Sequence, residues 1–427
     1  MRHPSQVRTR AFCLAVALAA AALAGTPAGA TGAPGTTAVK PVVNGAVFNN
    51  PIGTPEQQSA IITQLERLID SVPAGEEINA VMFEFKHPRI AERLVAAADR
   101  GVRVKLIVDE ASVGAAAYDT VRARVGGDDT AGSYAVVCND QFPSQDRGCI
   151  GTRVITYANG SQYAYNHNKF FLFSRLAFGD GTGASNVVWQ SSSNLSPWYE
   201  IETYNDSVTF SDQATYDGYR RYVADLRSYR HTSGGNNNYY RSTPTGSTYR
   251  AFFFPRREAA GEDPVTGTAT DTVDNVLDEV SCSYTEPDGS RHQTDIRIMM
   301  WSFTRTGLAN KLAAKRRAGC WVDIVYNPDT MSAGVRSALT FSGGPQLTPC
   351  TFNVGAGRDI RPHTKTMLLD GDYNGSITPR VYTGSHNYAI SALRQADETL
   401  LRITSAAYHA SFLGNFYKIR DTCRAHI

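Results

Sequence analysis

The chain has 427 residues, 42% of them hydrophobic and 19% charged, with 42 basic against 40 acidic side chains. That length is enough for two domains or one large two-lobed unit. So even a charge balance gives no global field for holding a polyanion, so nucleic acid binding would need a local basic groove.

The first thirty residues differ from the rest. Arg2, Arg8 and Arg10 form a basic start, residues 11–24 are an apolar run rich in Ala and Leu, and Ala28-Gly29-Ala30 fits a small-residue cleavage site. This pattern predicts a signal peptide over 1–30 and a secreted, extracellular protein. The apolar run is shorter than the roughly 20 residues a span needs, and no other segment reads as transmembrane. Removing residues 1–30 leaves 39 basic against 40 acidic side chains.

Six cysteines remain after that segment: Cys138, Cys149, Cys282, Cys320, Cys350 and Cys423. An even number in an exported chain predicts disulfides. Cys138–Cys149 is the first expected pair, since only a short loop with Pro143 and Gly148 separates them. Cys320–Cys350 with Cys282–Cys423 is the expected completion, although six cysteines allow fifteen connectivities. No pair has CxxC spacing, so no zinc site, other metal or cofactor is expected.

The chain also repeats itself. Ile78–Val108 and Ile296–Tyr326 align without a gap at an offset of 218. Each reads as an apolar strand ending at Phe85 or Phe303, an amphipathic helix, a turn at Gly101 or Gly319, and a second strand. Ile90, Ala91 and Leu94 match Leu308, Ala309 and Leu312 at helical spacing, so both helices should bury the same face. A looser upstream repeat sets Val47-Phe48 before Ile61, Leu65 and Leu68, and Phe252–Phe254 before Val273, Val276 and Leu277. Strand, helix and strand in this order favour βαβ units, hence an α/β fold of two related halves. The expected organisation is a first half over 31–232, a connecting segment rich in Gly, Asn, Ser and Thr over 233–247, and a second half over 248–427.

The chemistry sits downstream of each repeat. Lys occurs only eight times, yet two His are followed two positions later by Lys: His167-Asn168-Lys169 and His363-Thr364-Lys365. Each pair leads into an apolar strand, where alternation sends residues two apart to the same face. A small-residue turn with Asn follows, Ser191–Asn194 in one half and Gly384–Asn387 in the other, and then an acid, Asp206 or Glu398. Four residue types recur in the same order, twice.

These residues resemble the phospholipase D superfamily, which is marked by two copies of HxKxxxxD, each followed by GSxN and an acid. The second half matches at His363, Lys365, Asp370, Gly384, Ser385, Asn387 and Glu398. The first departs from the pattern with Ser174 at the Asp position and Ser191 at the Gly position, and the likeness spans most of the mature chain. The resemblance implies two halves, each a mixed sheet flanked by helices, packed with pseudo-twofold symmetry around one site. It also implies a covalent step in which His167 attacks phosphorus while His363 protonates the leaving group, though the two imidazoles can exchange roles. Asp206 and Glu398 would hold the imidazoles in the required tautomers, Ser192 and Ser385 would touch substrate, and Asp370 and Ser174 would be structural.

The residue types agree with that chemistry. A phosphodiester is an anion that repels nucleophiles, so a metal-free site needs donors around its non-bridging oxygens, and Lys169, Lys365, Asn194 and Asn387 can supply them. Two imidazoles supply nucleophile and proton donor, since small environmental shifts place them on either side of neutrality. His386 is expected to contact substrate or solvent, and His87 to start a helix. Tyr163, Tyr165, Trp198, Tyr199 and Tyr388 could line a lipid entrance or pack in the core. Arg358, Asp359 and Arg361 could orient a head group or lie in a solvated loop.

The leading expectation is a phosphodiesterase acting on phospholipid head groups at a membrane or micelle surface. The alternatives are a secreted nuclease or other phosphodiesterase, and a weakly catalytic protein that binds phosphate or lipid. A basic groove would favour the nuclease, an aromatic rim would favour lipid, and a displaced His167 would favour binding alone.

Overall fold

The structure is a computed structural model describing residues 39–157, 160–286 and 288–426, and the signal-peptide expectation for residues 1–30 lies outside them. In the first half, strands β1 (Gly45–Phe48), β2 (Glu77–Met82), β3 (Arg103–Val108), β4 (Tyr134–Val137), β5 (Lys169–Ala177), β6 (Gly183–Ser191) and β7 (Asp206–Ser211) form one sheet. Its order is β1-β7-β6-β5-β2-β3-β4. Helices α1 (Ala60–Asp70), α2 (Pro88–Asp99) and α3 (Ala116–Val125) cover one face, and α4 (Gln213–Tyr229) lies on the other.

The second half repeats this plan with β8 (Arg241–Ser242), β9 (Tyr249–Phe253), β10 (Asp295–Met300), β11 (Trp321–Tyr326), β12 (Gln346–Pro349), β13 (Lys365–Asp370), β14 (Arg380–Gly384) and β15 (Thr399–Thr404). The order is β8-β9-β15-β14-β13-β10-β11-β12, so each strand of the first sheet has a counterpart, and β8 from the connecting segment adds an edge. Helices α5 (Thr272–Asp278), α6 (Thr306–Arg317) and α7 (Ala333–Leu339) cover its outer face, and α8 (Ala406–Arg424) its inner one. The βαβ expectation holds for three strands per half: β2, β3 and β4 run parallel, as do β10, β11 and β12. The other pairings in both sheets are antiparallel, so each sheet is mixed.

Side-chain alternation sorts residues between two kinds of core. On β2 and β3, Ala80, Met82, Leu106 and Val108 meet Ile90 and Leu94 of α2 on the outside. Val81 and Ile107 point inward to a core shared by both sheets, where they join Met299, Val325 and Leu401 of the second half with Tyr219 of α4 and Phe412 of α8. The aligned helical residues Ile90, Ala91 and Leu94 are buried, and so are Leu308, Ala309 and Leu312. Truncating Leu94 or Leu312 to Ala would cost about 2–5 kcal/mol. No helix among the described residues is long and apolar enough to cross a membrane.

Cys138 pairs with Cys149 as expected. The other two bridges correct the expectation, being Cys282–Cys320 and Cys350–Cys423. Cys282 follows α5 and lies beside α6, with its sulfur 3.3 Å from the Lys315 carbonyl, and Cys320 immediately precedes the strand after that same helix. Cys350 immediately follows β12, against which the last turn of α8 brings Cys423.

Candidate active site

The two His-x-Lys pairs come together where β2 and β10 end, because Lys169 opens β5 in register with Met82 and Lys365 opens β13 in register with Met300. The backbone repeats around both. His167 N–H donates to the Asp397 carbonyl at 2.9 Å and His363 N–H to the Tyr204 carbonyl at 2.9 Å, so each His is hung on the opposite half. Ser192 N–H donates to the Asp206 carbonyl and Ser385 N–H to that of Thr399, both at 3.0 Å. This register makes Asn205 the counterpart of Glu398, and Asp206 the counterpart of Thr399.

The imidazole partners follow that register. His167 Nδ1 lies 2.9 Å from Glu398 Oε1, and His363 Nδ1 lies 2.9 Å from Asn205 Oδ1. The Asn205 amide is oriented by its other end, since Nδ2 donates to Thr203 Oγ1 at 2.7 Å and leaves Oδ1 to accept from His363. Asp206, expected to hold an imidazole, does not reach one. It lies one residue further on, so its carboxylate turns between the sheets and accepts from the hydroxyls of Thr364 and Thr383. Ser192 and Ser385, expected to touch substrate, donate instead to Asn205 Oδ1 and to Glu398 Oε2, and so orient the two imidazole partners.

All four catalytic candidates are buried, and burial dominates their proton affinities. It pushes His167 well below its ordinary value, assisted by the charges of Lys169 and Lys365, and does the same to His363 with Lys365 and Lys169 alongside. That both imidazoles feel both lysines places them in one site. Lys169 is pushed down to about 7 by burial against the pull of Glu398, Glu84 and Asp109, and Lys365 falls well below its usual range through burial and the Lys169 charge. Burial lifts Glu398 well above the usual carboxylate range. Lys169 Nζ donates to the His167 carbonyl at 2.7 Å, and Lys365 Nζ lies 3.1 Å from His363 Nε2. An entering phosphate would cancel the repulsion among these cations and return both lysines to full charge.

Of the turn asparagines, Asn387 accepts from Ser302 N–H at 3.3 Å and lines the cleft, while Asn194 Oδ1 is buried with no partner among the described residues. Gly384 has φ +133°, and a Cβ there would lie 2.4 Å from the Thr399 carbonyl, which explains Gly in this half. In the other half Ser191 fits because its hydroxyl donates to the Asp206 carbonyl at 2.7 Å.

Ser174 and Asp370 occupy matching places far down β5 and β13, where Asp370 pairs with Asp295 and Ser174 lies beside Glu77. Five residues of strand put Ser174 about 17 Å from Lys169. There it donates to Glu76 Oε2 at 2.7 Å and accepts from Glu77 N–H at 2.8 Å.

The aromatic residues divide. Tyr165 packs edge-on to His167 at 5.5 Å, Tyr199 lies 4.9 Å from His363, and Trp198 backs Tyr199 at 4.7 Å. Tyr163 is half exposed in the cleft, while Tyr388 is buried against Phe303. Two more contacts escaped the sequence reading: Phe83 lies 5.2 Å from His167 and Trp301 lies 5.0 Å from His363. Their spacing of 218, that of the repeat, was the available signal. Asn205 was also missed.

His386 is neither exposed nor hydrogen-bonded among the described residues; it is buried 4.5 Å from Phe254. His87 does precede α2, with its Nε2 2.8 Å from Glu200. Arg358 bonds the Pro51 and Ile201 carbonyls, and Arg361 pairs with Asp359 on the short strand Asp359–Pro362 at 3.0 Å, so these charges are occupied within the protein.

A cleft of about 1270 Å³ opens beside His167, Trp301 and Asn387. Phe83, Tyr163 and Tyr165 line it, together with the carboxylates of Asp109, Glu110, Asp140 and Asp146 and the guanidinium of Arg122. Among the described residues, the group of side chains close enough to share a metal ion is Cys138, Cys149 and Asp397, and both sulfurs there are in a disulfide.

The cardiolipin synthase, PLD-like domain profile matches twice, over residues 65–226 and 290–420. No curated protein matches the sequence. Among solved structures, phosphatidylserine synthase from Haemophilus influenzae Rd KW20 is 13% identical with a TM-score of 0.54, over 91% of this chain and 88% of that one. Polyphosphate kinase from Porphyromonas gingivalis is 11% identical with a TM-score of 0.50 over 87% of this chain, which spans about half (49%) of the kinase. The phospholipase D family member Nuc from Salmonella typhimurium is 21% identical over 34% of this chain and 85% of its own, with a TM-score of 0.26. With both of its halves matched and its two His-x-Lys pairs gathered into one site, the chain belongs to the phospholipase D-like superfamily.

Proposed function

We propose that this chain is an exported phosphodiesterase of the phospholipase D type that removes phospholipid head groups through a phosphohistidine on His167. The observation that carries the reading is the unequal partnering of the two imidazoles. His167 faces a carboxylate and His363 faces a neutral amide. Glu398 holds the Nδ1 proton, leaves the Nε2 lone pair free to attack, and stabilises the positive charge of the phosphoimidazolium that forms. His363 has no such anion, so once the substrate phosphate offsets the burial and lysine charges that disfavour its proton, its imidazolium is the stronger acid and suits the proton donor.

In the first step His167 Nε2 bonds to phosphorus, the bond from phosphorus to the head-group oxygen breaks, and His363 gives its proton to that oxygen. In the second, His363 takes a proton from water or an alcohol, whose oxygen attacks phosphorus and breaks the P–N bond. Lys169 and Lys365 neutralise the non-bridging oxygens, so the step needs no metal ion. The cleft supports lipid over nucleic acid, because its lining offers a polyanion only the Arg122 guanidinium beside the Glu110 and Asp146 carboxylates, Asp140 being paired with Arg230, while its aromatic walls suit a lipid with a zwitterionic head. The distance of Ser174 from His167 supports turnover rather than binding alone.

The test is to incubate protein with phosphatidylcholine vesicles or single-stranded DNA, each with EDTA, and with ethanol added to the lipid. Choline release that survives EDTA, together with phosphatidylethanol, is expected. DNA cleavage without lipid turnover would move the chain to the nuclease reading, and loss of turnover restored by a divalent ion would end the metal-free mechanism. Export predicts a mature N-terminus after Ala30, read by terminal sequencing of the secreted product.

A further inference from the structure

Asp397, the residue before Glu398, is fully buried, and none of the roles above uses it. Its carboxylate accepts from two backbone amides of the loop that follows the first disulfide, Ile150 N–H at 3.1 Å and Gly151 N–H at 2.9 Å. It lies within 4.8 Å of the sulfurs of Cys138 and Cys149. Its own main chain holds the His167 segment from both sides, since its N–H donates to the Tyr165 carbonyl and its carbonyl accepts from His167 N–H, both at 2.9 Å. The next residue then delivers Glu398 Oε1 to His167 Nδ1.

The loop is built for this approach. A Cβ on Gly148 would stand 2.6 Å from Asp397 Oδ2, and one on Gly151 would stand 2.0 Å from the Gln395 carbonyl. Arg147 fills the loop from within and donates to the carbonyls of Gly148, Cys149, Tyr229 and Thr232. Around His363 the described residues hold no equivalent: Tyr204 occupies the matching place and makes the same backbone bond to His363, with its hydroxyl unpartnered.

We propose that Asp397 is a positioning residue that sets the His167–Glu398 pair through the disulfide-closed loop, a clamp that acts on one imidazole and not on the other. It rests on the proposed reaction only for its consequence in turnover, since the geometry it fixes exists before any substrate binds. Burial raises the Asp397 carboxyl to about 7 against the pull of its backbone donors and Arg147, with Glu398, Tyr222 and Tyr239 as its other ionisable neighbours.

The experiment is imidazole nitrogen NMR on full-length D397N and on the C138A/C149A double variant, with thermal melts of each, followed by kcat and KM on phosphatidylcholine across pH 5–9. The expected result is a changed His167 Nδ1–H signal with an unchanged His363 signal. It is accompanied by a kcat at least tenfold lower, a KM within twofold, and loss from D397N of any limb of the kcat profile near pH 7. The double variant leaves Asp397 in place and reads the same clamp from the loop side should D397N not fold. Unchanged His167 signals in a folded variant, or equal disturbance of both imidazoles, would overturn the clamp. A protein that cleaves no phosphodiester would end the reading of function while leaving the NMR result to decide the clamp.

Discussion

Around His167 the second half supplies a carboxylate, and around His363 the first half supplies an amide, at the same 2.9 Å and on the same backbone register. The strands, the turn serines and the aromatic neighbours Phe83 and Trp301 all recur. What differs is the side chain placed on a shared frame: Glu398 against Asn205, Asp397 against Tyr204, and Asp109 against Asn327 at the ends of β3 and β11. A duplicated fold therefore fixes where the two imidazoles sit, and single substitutions decide which of them faces a carboxylate.

The largest effect that separates the two sides comes from the imidazoles themselves. H167A and H363A should each lower kcat by about a thousandfold or more, and a double variant should add little, because residues acting as a unit are not additive. The informative difference is covalent. With a substrate whose leaving group departs without a proton, H363N should accumulate phosphoryl label on the denatured protein and H167N should not. Label retained by H167N would reverse the assignment.

The partners come next. E398Q should lower kcat by about a hundredfold, since the phosphoimidazolium would lose its counter-charge. N205D makes the two sides alike, and a carboxylate beside His363 should raise that imidazole's pKa and carry the alkaline limb of the kcat profile to higher pH. An unmoved limb would show that His363 is not the proton donor being titrated.

Asp109 offers a comparison in stability. Burial raises its carboxyl to about 7 despite donors from Asn166 and Ala111 backbone amides. A raised folded-state pKa means that the proton-linked contribution is fully present below about pH 4 and is lost as pH rises through 7. D109N, which copies Asn327, should therefore gain on the wild type between pH 4 and pH 8, with a ceiling of about 4 kcal/mol. Urea melts at the two pH values measure it, and a constant difference would show that Asp109 does not titrate in that window.

The smallest effect is expected of S174D, which makes the first motif match the second. It adds a carboxylate beside Glu76 and Glu77, so a loss of about 1 kcal/mol is expected, with kcat within twofold. A large change in kcat would mean that the far end of β5 reaches the reaction centre.

Much of this was legible in the sequence because duplication makes a signal of itself. The gapless match between Ile78–Val108 and Ile296–Tyr326 gave strand, helix and strand, and the two His-x-Lys pairs with their Asn turns gave the place of the chemistry. Asp206 departs from the expectation for a physical reason: spacing points to the acid, whereas the imidazole partner is set by backbone register, which puts Asn205 there and turns Asp206 between the sheets. That Glu398 serves His167 rather than His363 is a tertiary fact, invisible to a reading within each half. The bridges Cys282–Cys320 and Cys350–Cys423 depended likewise on where α6 and α8 pack.

The crosswise grip has a consequence in time as well as in space. During synthesis the first half can complete β1 through β7 once residue 211 has emerged, and Lys169 is then already in place on its strand, while the His167 segment still waits for Asp397 and its neighbour. Its carboxylate partner is not made until residue 398, almost two hundred residues after the first sheet is complete. A ribosome-bound chain therefore carries no finished centre until Glu398 has emerged, and any nonsense mutation upstream of Glu398 releases a product that lacks one.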